Sequence, residues 1–572
     1  MPETRSFSGH SMILNTLFVV LNIAGLALFF MGFLEVFAAI KVLFIAIGAS
    51  LVGLTSFGII LFKGKIMMAT VSRVIVGVLF VVSGLIKAND PIGFSYKLQE
   101  YFEDGALAYR MKEAFGWTSF SLEFLIDAAL WLAVVICVLE ILLGFLLIIG
   151  GKARLTAWLL IPMMLFFTFL TWHTANCVPG SKFTDEDTYA LHSSEAQQKL
   201  EASKKNHDIR IISKNNEEVV VQEQKMVQCV SDCGCFGDAL KARVGRSLLP
   251  SESFLKDIVL LYLSLWFFLA QRWIKPNSVR QNWKIIPIVG LLFAALSFLL
   301  DWYFPLLFGG VGVLIALWIY RSGGVIFGNH YGSILLLSLM SFGFVFFVLR
   351  YDPLRDFRSF AVGNDLNEQV KKGLLDTIQF NPTMSVHLLS DDALTQPFIQ
   401  KQLKDQFIKG LLLKDKLTNK TLKITAEAYN IESYSEENYT ILDTIEMRND
   451  GLEMVSANAF LLSAPKVILI ISQSLDEINN DVMQQLADLT KKAKVQKVPI
   501  LFITSGSYER AQYFAKSHKL DAFVFVNEAL ELKTIARSNP SLVILKKGKV
   551  VGKYTEHALP EFEWITTNLL SK

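Results

Sequence analysis

The feature that most constrains this chain is a series of long apolar runs. They cover residues 12–33, 37–62, 68–87, 121–149, 155–173, 253–271, 285–302, 304–320 and 331–350. A helix of about 20 apolar residues crosses a hydrocarbon core of roughly 30 Å. In lipid a helix also pairs its own backbone polar groups. The sequence therefore predicts a polytopic α-helical membrane protein with about nine spans, in contact with the lipid bilayer.

Composition and charge agree with this class. Of the 572 residues, 52% are hydrophobic, which lies outside the range of soluble globular proteins. A net charge of only +3 provides no basic field for nucleic acid, so we expect no nucleic-acid partner. Arg5 precedes the first apolar run as in a signal peptide, but the run is too long and has no clear cleavage site. We interpret it as a retained anchor.

The positions of the basic residues predict the orientation. Lys and Arg residues cluster in alternate short loops, as expected for loops on the cytoplasmic side. These are Lys63, Lys65, Arg73, Lys152, Arg154, Arg272, Lys275, Arg280, Lys284 and Arg321. The N-terminus is then cytoplasmic, and the opposite face carries the long loop 174–252 and everything after about residue 351.

We divide the chain into five regions on this basis. They are two additional N-terminal helices (1–65), a four-helix unit with the long loop 174–252 (66–272), three further spans (273–351), a connecting region (352–464) and an α/β domain (465–572). Within the long loop, "SSEAQQKLEASKK" favours a helix, and "IRIISKNNEEVVVQ" favours a β-hairpin.

Strands and helices alternate in residues 465–572 and end in two strands and a helix, which is the order of the thioredoxin fold. No cysteine follows Cys235, so this domain lacks the Cys-x-x-Cys pair of active thioredoxins and cannot exchange disulfides itself. Asn539 and Pro540 match the position of that fold's cis-proline, which shapes its peptide-binding face. We predict that they bind a partner; the alternative is a purely architectural role.

Four of the five cysteines lie on the predicted outer side. Cys229, Cys233 and Cys235 fall within seven residues, and Cys177 follows the fifth span. Four cysteines allow three pairings. A glycine-flanked Cys233–Cys235 pair suits thiol–disulfide exchange, whereas a pair such as Cys177–Cys229 could simply staple the loop. A zinc site is a third alternative, although the C-x-C spacing is unusual for zinc.

Ionisable residues within the spans are the second signal. Arg73, Lys87 and Glu140 are expected to face a polar interior, where they could line a proton path or a quinone pocket. The alternative is that Arg73 and Glu140 form a packing ion pair while Lys87 extends towards the membrane surface. His173, four residues before Cys177, could act as base to a thiol or anchor at the interface beside Trp172.

Several stretches together resemble a known family. "SRVIVGVLFVVSGLIKANDPIGFSYKLQEYF", "LEILLGFLLIIGGKAR", "DCGCFGDALK" and "SESFLKDIVLL" are similar to the DoxX and methylamine-utilisation protein E superfamily of redox-associated four-helix membrane proteins. "DFRSFAVGNDL" and "ALELKTIARSNPSLVILKKGKVVGKYTEHALP" resemble its Gram-negative subfamily with a cysteine-free thioredoxin-like tail. The resemblance implies a bacterial inner-membrane protein whose cysteine loop and C-terminal domain are periplasmic.

The resemblance also implies that Cys233 and Cys235 are the redox pair, and that Arg73, Lys87 and Glu140 are polar positions of the bundle. We therefore expect a thiol–disulfide redox protein or accessory, which exchanges disulfides with periplasmic proteins and passes electrons to a membrane quinone. The alternative is a non-enzymatic scaffold, or a subunit of an envelope or secretion assembly, that binds exported proteins and other envelope membrane proteins through its periplasmic domain.

Overall fold

The structure, a computed structural model, forms two compact units. It describes residues 9–31, 41–61, 64–117, 119–206, 208–214, 217–230, 237–240, 247–321, 329–371, 384–385, 407–416, 421–425, 439–448, 454–455 and 464–571. The first unit comprises residues 1–349 and 353–355, and the second comprises residues 350–352 and 356–572.

Helices dominate the first unit. They are α1 (Gly9–Met31), α2 (Lys41–Leu61), α3 (Lys65–Ala88), α4 (Pro91–Phe102), α5 (Tyr109–Phe115), α6 (Ala129–Ile149), α7 (Ala153–Ala175), α8 (Ser194–Lys205), α9 (Pro250–Ala270), α10 (Val279–Leu299), α11 (Phe304–Arg321) and α12 (Asn329–Tyr351). In the described part of the chain, eight helices are long and apolar enough to cross a membrane. The eighth predicted run, 304–320, forms α11, whose apolar part Phe304–Ile319 is shorter and spans about 24 Å.

Four helices form the core of this unit. Helix α3 packs against α6 and α9, and α9 packs against α7. Gly77 and Gly144 allow α3 and α6 to approach closely, because a Cβ atom on Gly77 would lie 2.8 Å from the carbonyl oxygen of Gly144. Such small residues are a common means of packing helices in lipid.

The two N-terminal helices are attached to this core by a polar contact. Asn22 of α1 donates to Thr55 Oγ1 of α2 at 2.9 Å. Tyr262 of α9 donates to Asn22 Oδ1 at 3.1 Å and lies 2.7 Å from Ser56 Oγ. Hydrogen bonds between membrane helices contribute about 0.6–2 kcal/mol each, so this contact helps to hold α1 and α2 on the bundle.

A small antiparallel sheet occupies the long loop. Its strands are β1 (Lys182–Ala190), β2 (Ile209–Lys214) and β3 (Glu218–Met226), in the order β1-β3-β2. The predicted helix and hairpin are confirmed as α8 and as β2 with β3. Strand β1 was not predicted, because its sequence "KFTDEDTYA" is polar and lacks the alternation that marks a strand.

The described residues of the second unit form three sheets. Its elements are α13 (Leu366–Lys371), β4 (Met384–Ser385), β5 (Phe407–Asp415), β6 (Thr421–Thr425), β7 (Tyr439–Arg448), β8 (Met454–Val455), β9 (Val467–Ser472), α14 (Asn480–Val495), β10 (Ile500–Thr504), α15 (Tyr508–Ser517), β11 (Phe523–Val526), α16 (Ala529–Ile535), β12 (Ser541–Lys546), β13 (Lys549–Thr555) and α17 (Phe562–Ile565). Strands β4 and β8 pair, and the order β6-β5-β7 forms an antiparallel sheet.

The largest sheet has the strand order β11-β10-β9-β12-β13. Strands β9, β10 and β11 are parallel, and β12 and β13 run antiparallel to their neighbours. Every residue of β9 and β10 is buried, which explains their continuous apolar runs. Residues 363–366 bond along β13: Gly363 N donates to Val550 O at 2.8 Å, and Leu366 N donates to Gly548 O at 2.9 Å.

Candidate functional site

A disulfide bond lies where the long loop meets the end of α7. Cys177, two residues beyond α7, is bonded to Cys229, three residues beyond β3, with their Cα atoms 5.7 Å apart. Both cysteines are half-buried. This is one of the three pairings that the sequence left open. Cys233 and Cys235, the predicted exchanging pair, lie outside the described residues.

The chain on either side of the bond is held by main-chain contacts. Val227 N donates to Ser181 O at 2.7 Å, and Gln228 N donates to Gly105 O at 2.8 Å. A Cβ atom on Gly105 would lie 2.8 Å from Met226 O, so the close approach requires glycine. The two cysteines pack against the apolar side chains of Tyr109, Phe183 and Val227. Residues 105–109 therefore form one wall of the disulfide site.

His173, in the last turn of α7, is completely buried. Neither ring nitrogen has a hydrogen-bond partner among the described residues. The rings of Tyr101 and Tyr109 meet the imidazole edge-on, with centroids 6.2 and 5.7 Å away. An interfacial anchor would be partly exposed, so that interpretation of His173 is wrong.

Arg110 lies on the other side of Tyr109. Its guanidinium carbon is 4.8 Å from the centre of the Tyr109 ring and 5.3 Å from that of Trp172. Arg110 Nη2 donates to the carbonyl oxygen of Asn176 at 2.5 Å, directly before Cys177. No sequence pattern points to Tyr109 or Arg110, since an adjacent tyrosine and arginine between two predicted spans match no catalytic motif.

A buried ionic cluster ties the sheet to the same segment. Lys112 pairs with Asp185 of β1, and Lys225 of β3 pairs with Asp185 and, at 3.1 Å, with Asp104. Burial raises the pKa of Asp185, but the bonds from Lys112 and Lys225 outweigh it and hold the pKa below its usual value. Burial lowers the pKa of Lys225, and Asp185 and Asp104 more than reverse this, so it lies above its usual value.

Within the bundle, Lys87 and Glu140 form a buried ion pair. Lys87 Nζ lies 2.6 and 2.9 Å from the two carboxylate oxygens of Glu140 and 3.0 Å from Ser83 Oγ. It also lies over the Phe167 ring, 4.3 Å from its centre. The predicted alternative, an Arg73–Glu140 pair with Lys87 at the membrane surface, is wrong on both points, because Lys87 is 2% exposed and itself pairs with Glu140.

Arg73 performs a different task at the other end of α3. It donates to the carbonyl oxygens of Leu147 (2.8 Å) and Ile148 (3.1 Å) and to Asn277 Oδ1. These carbonyls lie in the last turn of α6, where helix carbonyls lack the usual i+4 donor; Leu147 O also accepts from Gly150 N at 3.2 Å. Arg73 therefore caps that terminus. Arg73 and Lys87 are fourteen residues apart on α3, or about 21 Å. The three predicted cofactor residues therefore do not surround one headgroup.

Lys87 and Glu140, the two predicted cofactor residues that do lie together, do not fit a quinone. A lysine ammonium has three protons, and in Lys87 these meet Ser83 and both oxygens of Glu140. No donor is left over for a quinone carbonyl at this pair.

In the second unit, the peptide bond between Asn539 and Pro540 is cis. The Asn539 side chain accepts from Gln473 N at 3.0 Å and donates to Ser474 O at 2.7 Å. It thus joins the segment after β9 to the turn before β12. Binding of a partner here stays a prediction.

Comparison with known proteins identifies one region. Residues 68–173 match the DoxX family, a stretch that runs from α3 to the last turn of α7. No curated protein and no solved structure is significantly similar to the chain. The DoxX domain and the apolar helices make this a membrane protein, and the family suggests an association with redox chemistry.

Proposed function

We propose that this chain is a membrane-bound thiol–disulfide redox protein, or an accessory to one, that exchanges disulfides with exported proteins. The observation that carries the proposal is the half-buried Cys177–Cys229 bond at the end of the DoxX domain. The bond fixes Cys229, four residues before Cys233 in the sequence, at the end of a membrane helix. A disulfide that exchanges must be accessible to a partner thiol.

The proposed reaction needs only a partner dithiol and a disulfide of this chain. One partner thiolate attacks a sulfur of the disulfide, a mixed disulfide forms, and the second partner thiol then releases the reduced chain. Two electrons and two protons pass from the partner to the two cysteines, and the partner becomes oxidised. Cys233 and Cys235 are the exchanging pair, while Cys177–Cys229 connects their loop to the bundle.

The protein is placed in a bacterial inner membrane in this proposal, with the disulfide and the second unit in the periplasm. Clustering of basic residues in alternate loops supports that orientation. The regions of the chain keep their predicted bounds: the bundle covers residues 66–272 and the C-terminal domain covers residues 465–572.

The C-terminal domain is proposed to be thioredoxin-like and to bind rather than oxidise. Its support is the mixed sheet with β9 beside β12 and a proline directly before β12. The segment after β9, where active members carry two cysteines, reads "SQSLDEIN". Asn539 and Pro540 would then border the surface that receives exported proteins.

The second candidate is the scaffold without redox activity. Its support is the apolar packing of Cys177 and Cys229 against Tyr109, Phe183 and Val227, which is typical of a structural bond. In that case the bond staples the loop, and the C-terminal domain provides the function by binding.

The thiol state of the four outer cysteines in intact membranes decides between the two. Differential alkylation and mass spectrometry would be applied before and after mild treatment with a dithiol. For a redox protein we expect Cys233 and Cys235 to change readily between disulfide and thiol. The C233S/C235S variant should then lose activity in cells at unchanged abundance. If none of the four cysteines changes, the redox proposal fails and the scaffold is favoured.

A further inference from the structure

Burying His173 with both ring nitrogens unpartnered is costly. Each buried polar group without a hydrogen bond costs about 1–3 kcal/mol, and a phenylalanine would fill the same apolar site without that cost. The imidazole is completely buried between Tyr101 and Tyr109, and no described residue bonds either nitrogen. Such an exception in a folded protein calls for a functional explanation.

The position of His173 relative to the disulfide suggests one. Helix α7 ends at Ala175, and Asn176 N donates to His173 O at 3.2 Å. Cys177, the next residue, therefore follows directly on the turn that His173 closes. Tyr109 contacts both: its ring packs on the imidazole and belongs to the apolar cluster around the two cysteines.

A positive charge also lies beside Cys177. Arg110 donates to the carbonyl oxygen of Asn176, the residue before Cys177, at 2.5 Å. Cys229 lies between Gln228 and Val230, neither of which is ionisable. A base and a cation near a thiol favour its thiolate, so the surroundings distinguish the two sulfurs of the bond.

Two acidic residues of the neighbouring helix have partners of their own. On α9, which packs against α7, Glu252 accepts from Leu249 N at 3.0 Å, and Asp257 pairs with Lys256 at 2.9 Å. Tyr101 lies 2.7 Å from Thr174 Oγ1. Arg110 packs on the ring of Tyr109, which in turn contacts His173. The carboxylate of Glu113, also on α5, acts electrostatically on the same ring.

We propose that Cys177 is the attacking thiol of this disulfide and Cys229 the resolving thiol, with His173 as general base and Arg110 as the stabilising cation. The inference deepens the proposed function, and it makes Cys177–Cys229 an exchanging bond in its own right rather than only a staple. It also assigns His173 a partner: the Cys177 thiol in the reduced protein.

The chemistry balances for re-oxidation of the chain, the reverse of the step in which it oxidises a partner dithiol, with a protein disulfide as oxidant. In the reduced protein, His173 takes the proton of Cys177 Sγ, and the thiolate attacks one sulfur of the partner disulfide. The partner sulfur that leaves takes a proton. Cys229 then attacks Cys177 in the mixed disulfide, which forms the Cys177–Cys229 bond and releases the second partner thiol. Two electrons and two protons pass from this chain to the partner.

Alkylation of the reduced protein tests the assignment. The full-length C233S/C235S variant would be reduced and treated with iodoacetamide from pH 5.5 to 9.5, and Cys177 and Cys229 would be followed separately by mass spectrometry. We expect Cys177 to react about tenfold faster than Cys229 at pH 7, since each unit by which a thiol pKa falls gives tenfold more thiolate.

Substitutions at His173 and Arg110 provide the matched comparisons. His173→Gln keeps a hydrogen-bonding side chain and His173→Phe keeps a ring, but neither takes up a proton. Both should slow the alkylation of Cys177 to the rate of Cys229 and move the pH profile of Cys177 alkylation to higher pH. Arg110→Gln should slow Cys177, and Arg110→Lys should restore most of the rate. Equal rates for the two thiols without these substitutions, or an unchanged profile in His173→Gln, would overturn the inference.

Folding and the proposed function are checked separately. A correctly folded variant re-forms the Cys177–Cys229 bond on oxidation and leaves buried Cys137 unreactive. Where His173→Phe fails this check, His173→Gln and Arg110→Gln decide. The assay needs no physiological partner. If the thiol state of the four outer cysteines does not change in cells, the proposed function is rejected. The rates of alkylation decide separately whether His173 and Cys177 have the roles assigned here.

Discussion

Individual polar residues inside this bundle have distinct tasks that their positions in the sequence do not reveal. Lys87, Glu140 and Arg73 all lie in apolar helices, yet two form an ion pair and the third caps a helix end. Hydropathy predicts that such residues face inward. It cannot identify their partners, because the pairing depends on how α3 and α6 pack across 53 positions of sequence. The wrong Arg73–Glu140 pairing has this origin.

The Lys87–Glu140 pair provides a test at this scale. Lys87→Met should destabilise the bundle by about 3–5 kcal/mol, because the Glu140 carboxylate would stay buried without a counter-charge. Lys87→Met together with Glu140→Leu should recover most of that loss. Unfolding in detergent micelles would measure the double-mutant cycle. A double variant no more stable than the single one would contradict a mainly packing role for the pair.

At the scale of elements, the sheet in the long loop is held at two places, by the disulfide and by the Lys112–Asp185–Lys225 cluster. The sequence predicted β2, β3 and α8, whereas β1 and the cluster were not predicted. Strand β1 is paired through all nine of its residues with β3, so a distant strand determined its structure. The candidate site was predicted as cysteines alone, and Tyr109 and Arg110 join it only through folding.

The ionic cluster predicts how this sheet responds to acid. The pKa of Asp185 in the folded protein lies below its usual value. Its contribution to the free energy of unfolding is therefore complete above the pKa of the unfolded chain, about 3.9, and is lost as pH falls through the pKa of the folded protein. Hydrogen exchange of β1 and β3 should therefore stay slow from pH 8 to 5 and accelerate below about pH 4.

Asp185→Asn is the matched variant for the acid response. It should expose β1 to exchange already at pH 7, because Lys112 would stay buried beside a neutral side chain. If the substitution leaves exchange unchanged after the disulfide has been reduced, the cluster does not hold the sheet.

The whole molecule combines two units with different responses to pH. In the second unit, Asp356 lies between two cations, Lys553 at 2.7 Å and Arg358 at 2.7 Å. Burial first, and then Arg358, lowers the pKa of Lys553 to about 8. The unfolded chain, with a lysine pKa of about 10.4, therefore binds more protons above pH 8 than the folded chain does. Stability then rises with pH.

Hydrogen exchange of β12 and β13 would measure this rise between pH 7.5 and 9.5. We expect protection to increase by up to about 2 kcal/mol over the interval, after correction for the intrinsic exchange rate. Lys553→Met should remove the increase. Tyr554, whose pKa is raised by burial, works in the opposite direction only above about pH 10. Protection that falls steadily across the interval in the unsubstituted protein would refute the assignment.

The disulfide has one more consequence, which concerns biosynthesis. Its two cysteines are 52 positions apart, and among the described residues no candidate span lies between them. The ring that they close contains β1, β2, β3 and α8. Among the described residues it contacts residues 104–112, which lie earlier in the chain. Because domains fold during synthesis in order from the N-terminus, this part of the protein can reach its final form before α9–α12 are made.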